Sequence, residues 1–414
     1  MDELIQKGKA CKNASHELMN LDTEAKNQIL NSIAENLKKA QINILSANQK
    51  DIEQARKNKR PKSFVDRLAL NEERLNQIIK GVHQVISLLD PCNNILDKWK
   101  RGELSFTKKS VPIGVIGIIY EARPNVSVDA TALCLKAGNV CFLRGSKDAI
   151  HSNKALVSAM KQGIIDAGYN EHFVELLNDT SKECASAFMK LNAYLDVLIP
   201  RGSANLIKAT LDNASVPIIE TGTGNCHVYV DKDADLEKAL TIIVNAKCQR
   251  VSVCNACESI ILHKDIIKVF VPKLIDTLKK QNVRIHADKE ICKYDMDILV
   301  ATEEDFAKEY LDYEISIKTV DGINEAIQHI NKYGSHHSDV IVSENKKTIT
   351  LFLNQIDSAV VYANASSRFS DGEEFGFGAE LGISTQKIHA RGPMGLNALT
   401  TYKYIVVGDG TVRK

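Results

Sequence analysis

The stretch Asn245-Ala-Lys-Cys-Gln-Arg-Val-Ser-Val-Cys-Asn-Ala-Cys257 sets three cysteines beside two cations. A thiol becomes a strong nucleophile when it ionises, and nearby positive charge favours the thiolate. Cys254, following a β-like run and with Lys247 and Arg250 close by in sequence, is therefore predicted to be a nucleophile. The spacing Cys254-Asn-Ala-Cys257 also fits a dithiol or half of a zinc site. A dithiol needs the pair at a helix start in a thioredoxin-like unit, and zinc needs a second close pair. Cys226, His227 and Cys248 form no such pair, so no metal is expected. A metal- or redox-responsive cysteine module is left as the remote alternative.

Two other kinds of segment could serve such a nucleophile. Tyr120-Glu-Ala-Arg-Pro-Asn125 ends a β-like run, which puts Asn125 at a strand's carboxyl edge, where open α/β sheets bind ligands. An asparagine amide there can donate to a developing oxyanion, with the nucleophile's own N–H as second donor; a plain Pro-Asn turn is the competing reading. Phe142-Leu-Arg-Gly-Ser-Lys147 and Leu198-Ile-Pro-Arg-Gly-Ser203 each follow a strand and precede a helix. Arg144, Ser146 and Lys147, or Arg201, Gly202 and Ser203, could hold a phosphate there with helix N-terminal amides. Neither is a Walker loop or a GxGxxG fingerprint. Glu220-Thr-Gly-Thr-Gly-Asn225 is glycine-rich at what reads as a junction between domains.

The elements that must position these groups alternate. At 414 residues the chain is long enough for two domains. Residues 1 to about 90 read as amphipathic helices, with Leu30, Ile33 and Leu37 and then Ile42, Ile44 and Leu45 at roughly helical spacing. The basic run Arg56–Lys62, broken by Pro61, reads as a solvated loop. From Lys108 onward, apolar runs at 111–119, 140–143 and 196–199 are predicted strands, with a helix over 153–167. A second series follows Glu220, with strands at 259–262, 298–300, 315–318 and 339–342 and helices at 265–281 and 322–332. Strands alternating with helices imply parallel sheets covered on both faces. The β-prone run at 399–407 must join a sheet of its own chain or of a partner, and a partner subunit's sheet is the expectation.

Composition narrows the partners. A net charge of +1 argues against a nucleic-acid binder, and 44% hydrophobic with 25% charged residues is ordinary for a globular protein. No run of about 18 apolar residues and no signal pattern occurs. No membrane association is expected, and the cytoplasm is the expected compartment. The ten cysteines lack disulfide-framework spacing, and most read as small buried hydrophobes.

Taken in order, these segments resemble the γ-glutamyl phosphate reductase branch of the aldehyde dehydrogenase superfamily. The resemblance rests on Pro112–Asn125, Ile199-Pro-Arg-Gly-Ser203, Glu220–His227, the Cys254 segment, Tyr362-Ala-Asn-Ala-Ser366 and Phe375–Gly395. It implies an aldehyde dehydrogenase-like α/β fold: two doubly wound α/β domains and a small β oligomerisation element. The implied divisions are an NADPH-binding domain over 1–101 and 113–226, a catalytic domain over 227–395, and an oligomerisation element over 102–112 and 396–414. Consecutive glycines are usual in the family where this chain has Ser146 and Ser203.

The resemblance also implies the chemistry. The substrate would be L-glutamate 5-phosphate, reduced with NADPH to L-glutamate 5-semialdehyde in proline biosynthesis. Cys254 would form a thioester and Asn125 would hold the oxyanion. Arg144, Ser146, Lys147, Arg201, Gly202, Ser203, Glu220 and Glu309 would face the cofactor, Glu309 at the nicotinamide ribose. Arg123, Lys247, Arg250, Asn364, Arg368 and Arg391 are the candidates for the substrate's two anionic groups. A homo-oligomer, and a transient contact with a separate glutamate 5-kinase, are the implied partners. Cys248 and Cys257 read as packing residues. A hydrolytic or CoA-acylating aldehyde dehydrogenase for another semialdehyde is the alternative within the fold.

Overall fold

The computed structural model describes residues 2–413 and divides the chain into two compact units. The first holds residues up to Thr221, Gly376–Gly382, and from Met394 on; the second holds Gly222–Phe375 and Ile383–Pro393.

The first unit opens with helices α1 (Asp2–Leu18), α2 (Thr23–Lys39), α3 (Gln41–Lys57), α4 (Lys62–Leu68) and α5 (Glu72–Ser87). Asp22 caps α2 by accepting from the Ala25 N–H at 2.8 Å, and Ile29, Leu30, Ile33 and Leu37 are buried on one face. The apolar series breaks at the Ala40 joint, where Ile42 is exposed. Next come β1 (Ile95–Arg101), β2 (Leu104–Pro112), β3 (Val115–Tyr120), α6 (Asn125–Lys136), β4 (Val140–Gly145), α7 (Ile150–Asp166), β5 (Val174–Leu176), α8 (Lys182–Phe188), β6 (Val197–Arg201) and α9 (Ala204–Asn213). The single strand predicted over 111–119 is two strands. Gly114, at φ +132°, turns the chain between them, and a Cβ there would meet Asp196 Oδ2 at 2.2 Å.

Strands β5-β4-β3-β6 form a parallel four-stranded sheet in that order. The order reverses between β3 and β6, which makes their carboxyl ends a topological switch point.

The second unit contains β7 (Cys226–Val230), α10 (Leu236–Cys248), β8 (Cys257–His263), α11 (Ile267–Lys280), β9 (Arg284–Ala287), β10 (Leu299–Val300), α12 (Glu303–Ala307), β11 (Glu314–Val320), α13 (Ile323–Tyr333), β12 (Ser338–Val342), α14 (Lys346–Gln355), β13 (Val360–Ala363), β14 (Ile383–Ser384) and β15 (Gly392–Pro393). Its seven-stranded parallel sheet runs β10-β9-β11-β8-β7-β12-β13. Alternate side chains serve opposite faces. Val228, Ile260, Leu262 and Val340 pack with Phe270 and Leu274 of α11, while Tyr229, Ile261 and Ile341 pack with Ile330 of α13 and Phe352 of α14.

The terminal strand β16 (Thr400–Val407) pairs antiparallel with β2 of its own chain, making a three-stranded sheet β1-β2-β16. This corrects the expectation that the run joins a partner's sheet: Asn139 fixes its start by donating to the Leu399 carbonyl at 2.8 Å. The arm begins at Ile95, earlier than residue 102. Trp99 stacks on Phe106, and Tyr402, Tyr404 and Val407 stay exposed. The domain boundary expected after residue 226 falls after Thr221, because Gly222–Asn225 bond within the second unit.

Candidate active site

Three neighbouring parallel strands, β11, β8 and β7, bring their incoming segments to one edge of the seven-stranded sheet. Cys254 lies in the turn between α10 and β8, a correction to its expected place after a strand. Gly224, leading into β7, packs on it: a Cβ on Gly224 would stand 1.5 Å from the Cys254 carbonyl oxygen. Glu309, leading into β11, accepts from the Gly224 N–H at 2.7 Å. Burial raises the Glu309 carboxyl's pKa, and that N–H opposes the rise. Sequence order alone separates these groups widely; strand adjacency gathers them.

The turn is pinned from several sides. Asn255 donates to the Arg368 carbonyl at 3.2 Å and the Ser370 carbonyl at 2.9 Å, and its own carbonyl accepts from Ser367 Oγ at 2.7 Å. Cys226, fully buried, donates its thiol to the Cys254 carbonyl at 3.2 Å. Arg368 donates through Nε to Gln249 at 2.9 Å. Burial lowers the Arg368 pKa, the charge of Arg250 lowers it further, and Asp371, then Cys254 and Cys226, oppose the fall. Arg250 and Arg368 therefore bring positive charge to the surroundings of Cys254.

Lys247, Asn364 and Arg391 have other partners. Lys247 is fully buried and its Nζ sits 2.6 Å from Glu258 Oε2. Asn364 uses both ends of its amide on the Ser343 backbone, at 2.9 and 3.0 Å. Arg391 is paired with Asp357 at 2.8 Å. Each of the three is thus engaged inside the second unit, Arg391 through Nη2. Cys257 is buried with its thiol on the Ser259 carbonyl at 3.3 Å, and Cys248 packs against the apolar core beside α11.

In the first unit, β3 ends at the switch point and Ala122 takes a left-handed φ of +44°. That conformation is disfavoured for a residue with a Cβ, and it turns the chain from strand into α6 over a few residues. Asn125 is the first residue of α6, and Arg123 lies just before it. Asn125 Nδ2 donates to Asp129 Oδ2 at 2.9 Å, one turn along the helix. Burial pushes the Asp129 carboxyl up to about 6, against that hydrogen bond and the charge of Arg201.

The ends of β4 and β6 carry the residues expected to face the cofactor. Ser203 caps α9, accepting from the Leu206 N–H at 3.3 Å. A Cβ on Gly202 would stand 2.7 Å from Glu121 Oε2 and 2.8 Å from Leu206 Cδ2, so the glycine lets these two side chains close over the backbone. Arg144 donates to the Thr180 and Ser181 carbonyls at 2.8 and 3.0 Å and keeps a buried Nε without a partner. Lys147 is exposed, and Ser146 Oγ accepts from the Ala122 N–H at 3.4 Å. Burial raises the Glu220 carboxyl. The glycine-backed helix start and the orphan guanidinium nitrogen fit a dinucleotide's phosphates.

Sequence reasoning missed Asp129, Glu121, Asn255 and Glu258. Glu121 accepts from the Ser203 N–H at 2.9 Å. Glu121 and Asn255 lie inside segments already singled out, and Asp129 and Glu258 follow such segments, but Glu258 sits in a strand with nothing in sequence to mark its partner Lys247.

Residues 2–293 match the aldehyde dehydrogenase family model. A γ-glutamyl phosphate reductase of Caldicellulosiruptor bescii is 53% identical over all of both chains, and one of Clostridium botulinum is 51% identical, again over all of both. The crystal structure of the γ-glutamyl phosphate reductase of Thermotoga maritima superposes with a TM-score of 0.97 at 46% identity, covering both chains completely. With the full length matched and the cysteine turn set on the sheet edge, the chain belongs to the γ-glutamyl phosphate reductase branch of the aldehyde dehydrogenase family.

Proposed function

We propose that this enzyme reduces L-glutamate 5-phosphate to L-glutamate 5-semialdehyde, releasing phosphate, in the second step of proline biosynthesis from glutamate. The observation that carries the reading is the turn holding Cys254, with Gly224 on its carbonyl, Glu309 on Gly224, and Arg250 and Arg368 alongside.

An acyl phosphate is already activated toward attack. The Cys254 thiolate adds to the acyl carbon, the carbon–oxygen bond to phosphate breaks, and phosphate leaves with the electron pair. Arg250 and Arg368 provide charge for the departing dianion, with Arg123 as a further anion ligand. NADPH, when bound, supplies the hydride that converts the thioester to the aldehyde. Asn125 donates its amide N–H to the carbonyl oxygen as negative charge develops, and the Cys254 N–H is the second donor. The carbon–sulfur bond then breaks and the thiolate is regenerated. Arg144, Ser146, Lys147, Arg201, Gly202 and Ser203 are assigned to the cofactor's phosphates, Glu309 to its nicotinamide ribose, and Glu220 to positioning it.

The three-stranded arm, with Trp99, Tyr402, Tyr404 and Val407 exposed, supports a homo-oligomer assembled through it. No helix among the described residues is long and apolar enough to cross a membrane. Free thiols at all ten cysteines support a reducing, cytoplasmic setting. An unstable acyl phosphate favours transient contact with a separate glutamate 5-kinase.

The test is run in reverse. Sustained NADP+ reduction with glutamate 5-semialdehyde, beyond a single equivalent per enzyme, is expected only when phosphate is present. Turnover without phosphate, or turnover requiring coenzyme A, would instead identify a hydrolytic or acylating dehydrogenase.

A further inference from the structure

Glu258, the second residue of β8, is fully buried, and both of its carboxylate oxygens are engaged. Oε2 accepts from Lys247 Nζ at 2.6 Å, and Oε1 accepts from the Leu311 N–H at 3.1 Å. Lys247 stands in the last turn of α10, so the ion pair joins the two ends of the segment 249–256 that bears Cys254. Leu311 lies two residues past Glu309, whose carboxylate rests on the Gly224 N–H.

Leu311 also has a left-handed φ of +54°. A side-chain-bearing residue disfavours that conformation, so a bond from its own N–H to a fixed acceptor is what holds it. A buried ion pair is weak evidence of stabilisation, because apolar residues of similar volume often replace one without loss. Apolar residues cannot accept a hydrogen bond from Leu311. Burial pushes the Glu258 carboxyl up to about 7 against the opposing charge of Lys247, so keeping it ionised there is costly.

We propose that Glu258 is a positioning residue: clasped by Lys247 at the base of the cysteine turn, it holds the Leu311 loop so that Glu309 meets the nicotinamide ribose. The inference rests on the reading of Glu309 as a cofactor ligand.

Two double variants isolate the acceptor. K247M/E258Q and K247M/E258L both lack the ion pair, but only the glutamine can accept from Leu311. NADP+ affinity is read by isothermal titration and stability by thermal melting. The two variants are expected to melt alike, with the leucine version binding NADP+ about tenfold more weakly than the glutamine version. E309Q is expected to weaken NADP+ similarly and to abolish the difference between the two when combined with each. Equal affinity of the two double variants, with E309Q weakened, overturns the positioning role and leaves Glu309 as a ligand. Unchanged affinity in E309Q overturns the Glu309 reading, and the positioning role with it. Should K247M/E258L fail to fold, amide hydrogen exchange of the unaltered chain decides. The Leu311 N–H is expected to exchange at least 100-fold more slowly than in a free peptide, and unprotected exchange overturns the proposal.

Discussion

The α-carbon of Gly224 lies against the main-chain carbonyl of Cys254, leaving only 1.5 Å between that oxygen and the place a Cβ would take. Gly224 is thus a packing surface for the turn that bears Cys254. The obstacle is backbone, which cannot rotate aside. Gly224→Ala is expected to cost stability at the upper end of the about 1–3 kcal/mol usual for overpacking. It should also remove most turnover. Urea unfolding and the phosphate-dependent assay measure the two effects separately.

Asn125 and Asp129 stand as donor and acceptor one helical turn apart. An amide's two ends differ only in the hydrogen bonds they make, and an ionised carboxylate accepts only. Asp129 therefore keeps the Asn125 nitrogen, not its oxygen, turned toward itself, and the second N–H is the one proposed for the oxyanion. Asn125→Ala is expected to lower kcat about 100- to 1,000-fold with little change in KM, the usual size for a lost oxyanion donor. Asp129→Ala should lower kcat less, about tenfold, and Asp129→Asn should recover most of that loss. Steady-state kinetics with both substrates saturating will show it.

Stability of the second unit should fall in mild acid. Burial holds the His329 imidazole down to about 3 from an ordinary 6.5, and His337 down to about 4. A depressed folded value means the unfolded chain takes up protons first. The stabilisation is therefore full above about 6.5 and is lost as pH falls toward the folded values. His329→Phe, set among Phe306 and Tyr333, is expected to narrow the gap between urea midpoints at pH 7.5 and 5. An unchanged gap would mean His329 does not govern it.

Deleting β16 should alter assembly before it alters folding. The strand pairs along β2 from Thr400 to Val407, and its loss exposes that edge together with Phe106 beneath Trp99. A chain ending at Leu399 is expected to shift to a smaller oligomer or to aggregate, as measured by light scattering on a sizing column. The oligomer should be unaffected if the arm takes no part in it.

Much of this architecture was legible because buried parallel strands are written as short β-branched runs. Segments 140–143, 259–262 and 339–342 fall within β4, β8 and β12. The place of Asn125 just past a strand end followed from the same texture. What stayed hidden depended on adjacency in space. Nothing in a local window shows that β11, β8 and β7 are neighbours, so the contact of Glu309 with Gly224 could not be read from spacing. Lys247 looked like a cation for the substrate because its partner, Glu258, sits on the far side of the cysteine turn. The partners of Arg391 and Asn364, Asp357 and Ser343, were hidden for the same reason, lying at least 21 residues away.

The covalent step on Cys254 is the centre of the account, and intact-peptide mass spectrometry tests it most directly. The enzyme is mixed with glutamate 5-semialdehyde and NADP+ without phosphate, quenched in acid and digested. A γ-glutamyl adduct is expected on the peptide bearing Cys254, and it should vanish when phosphate is added before the quench. An adduct confined to another cysteine, or phosphate-dependent NADPH formation by Cys254→Ser at the unaltered rate, would contradict it.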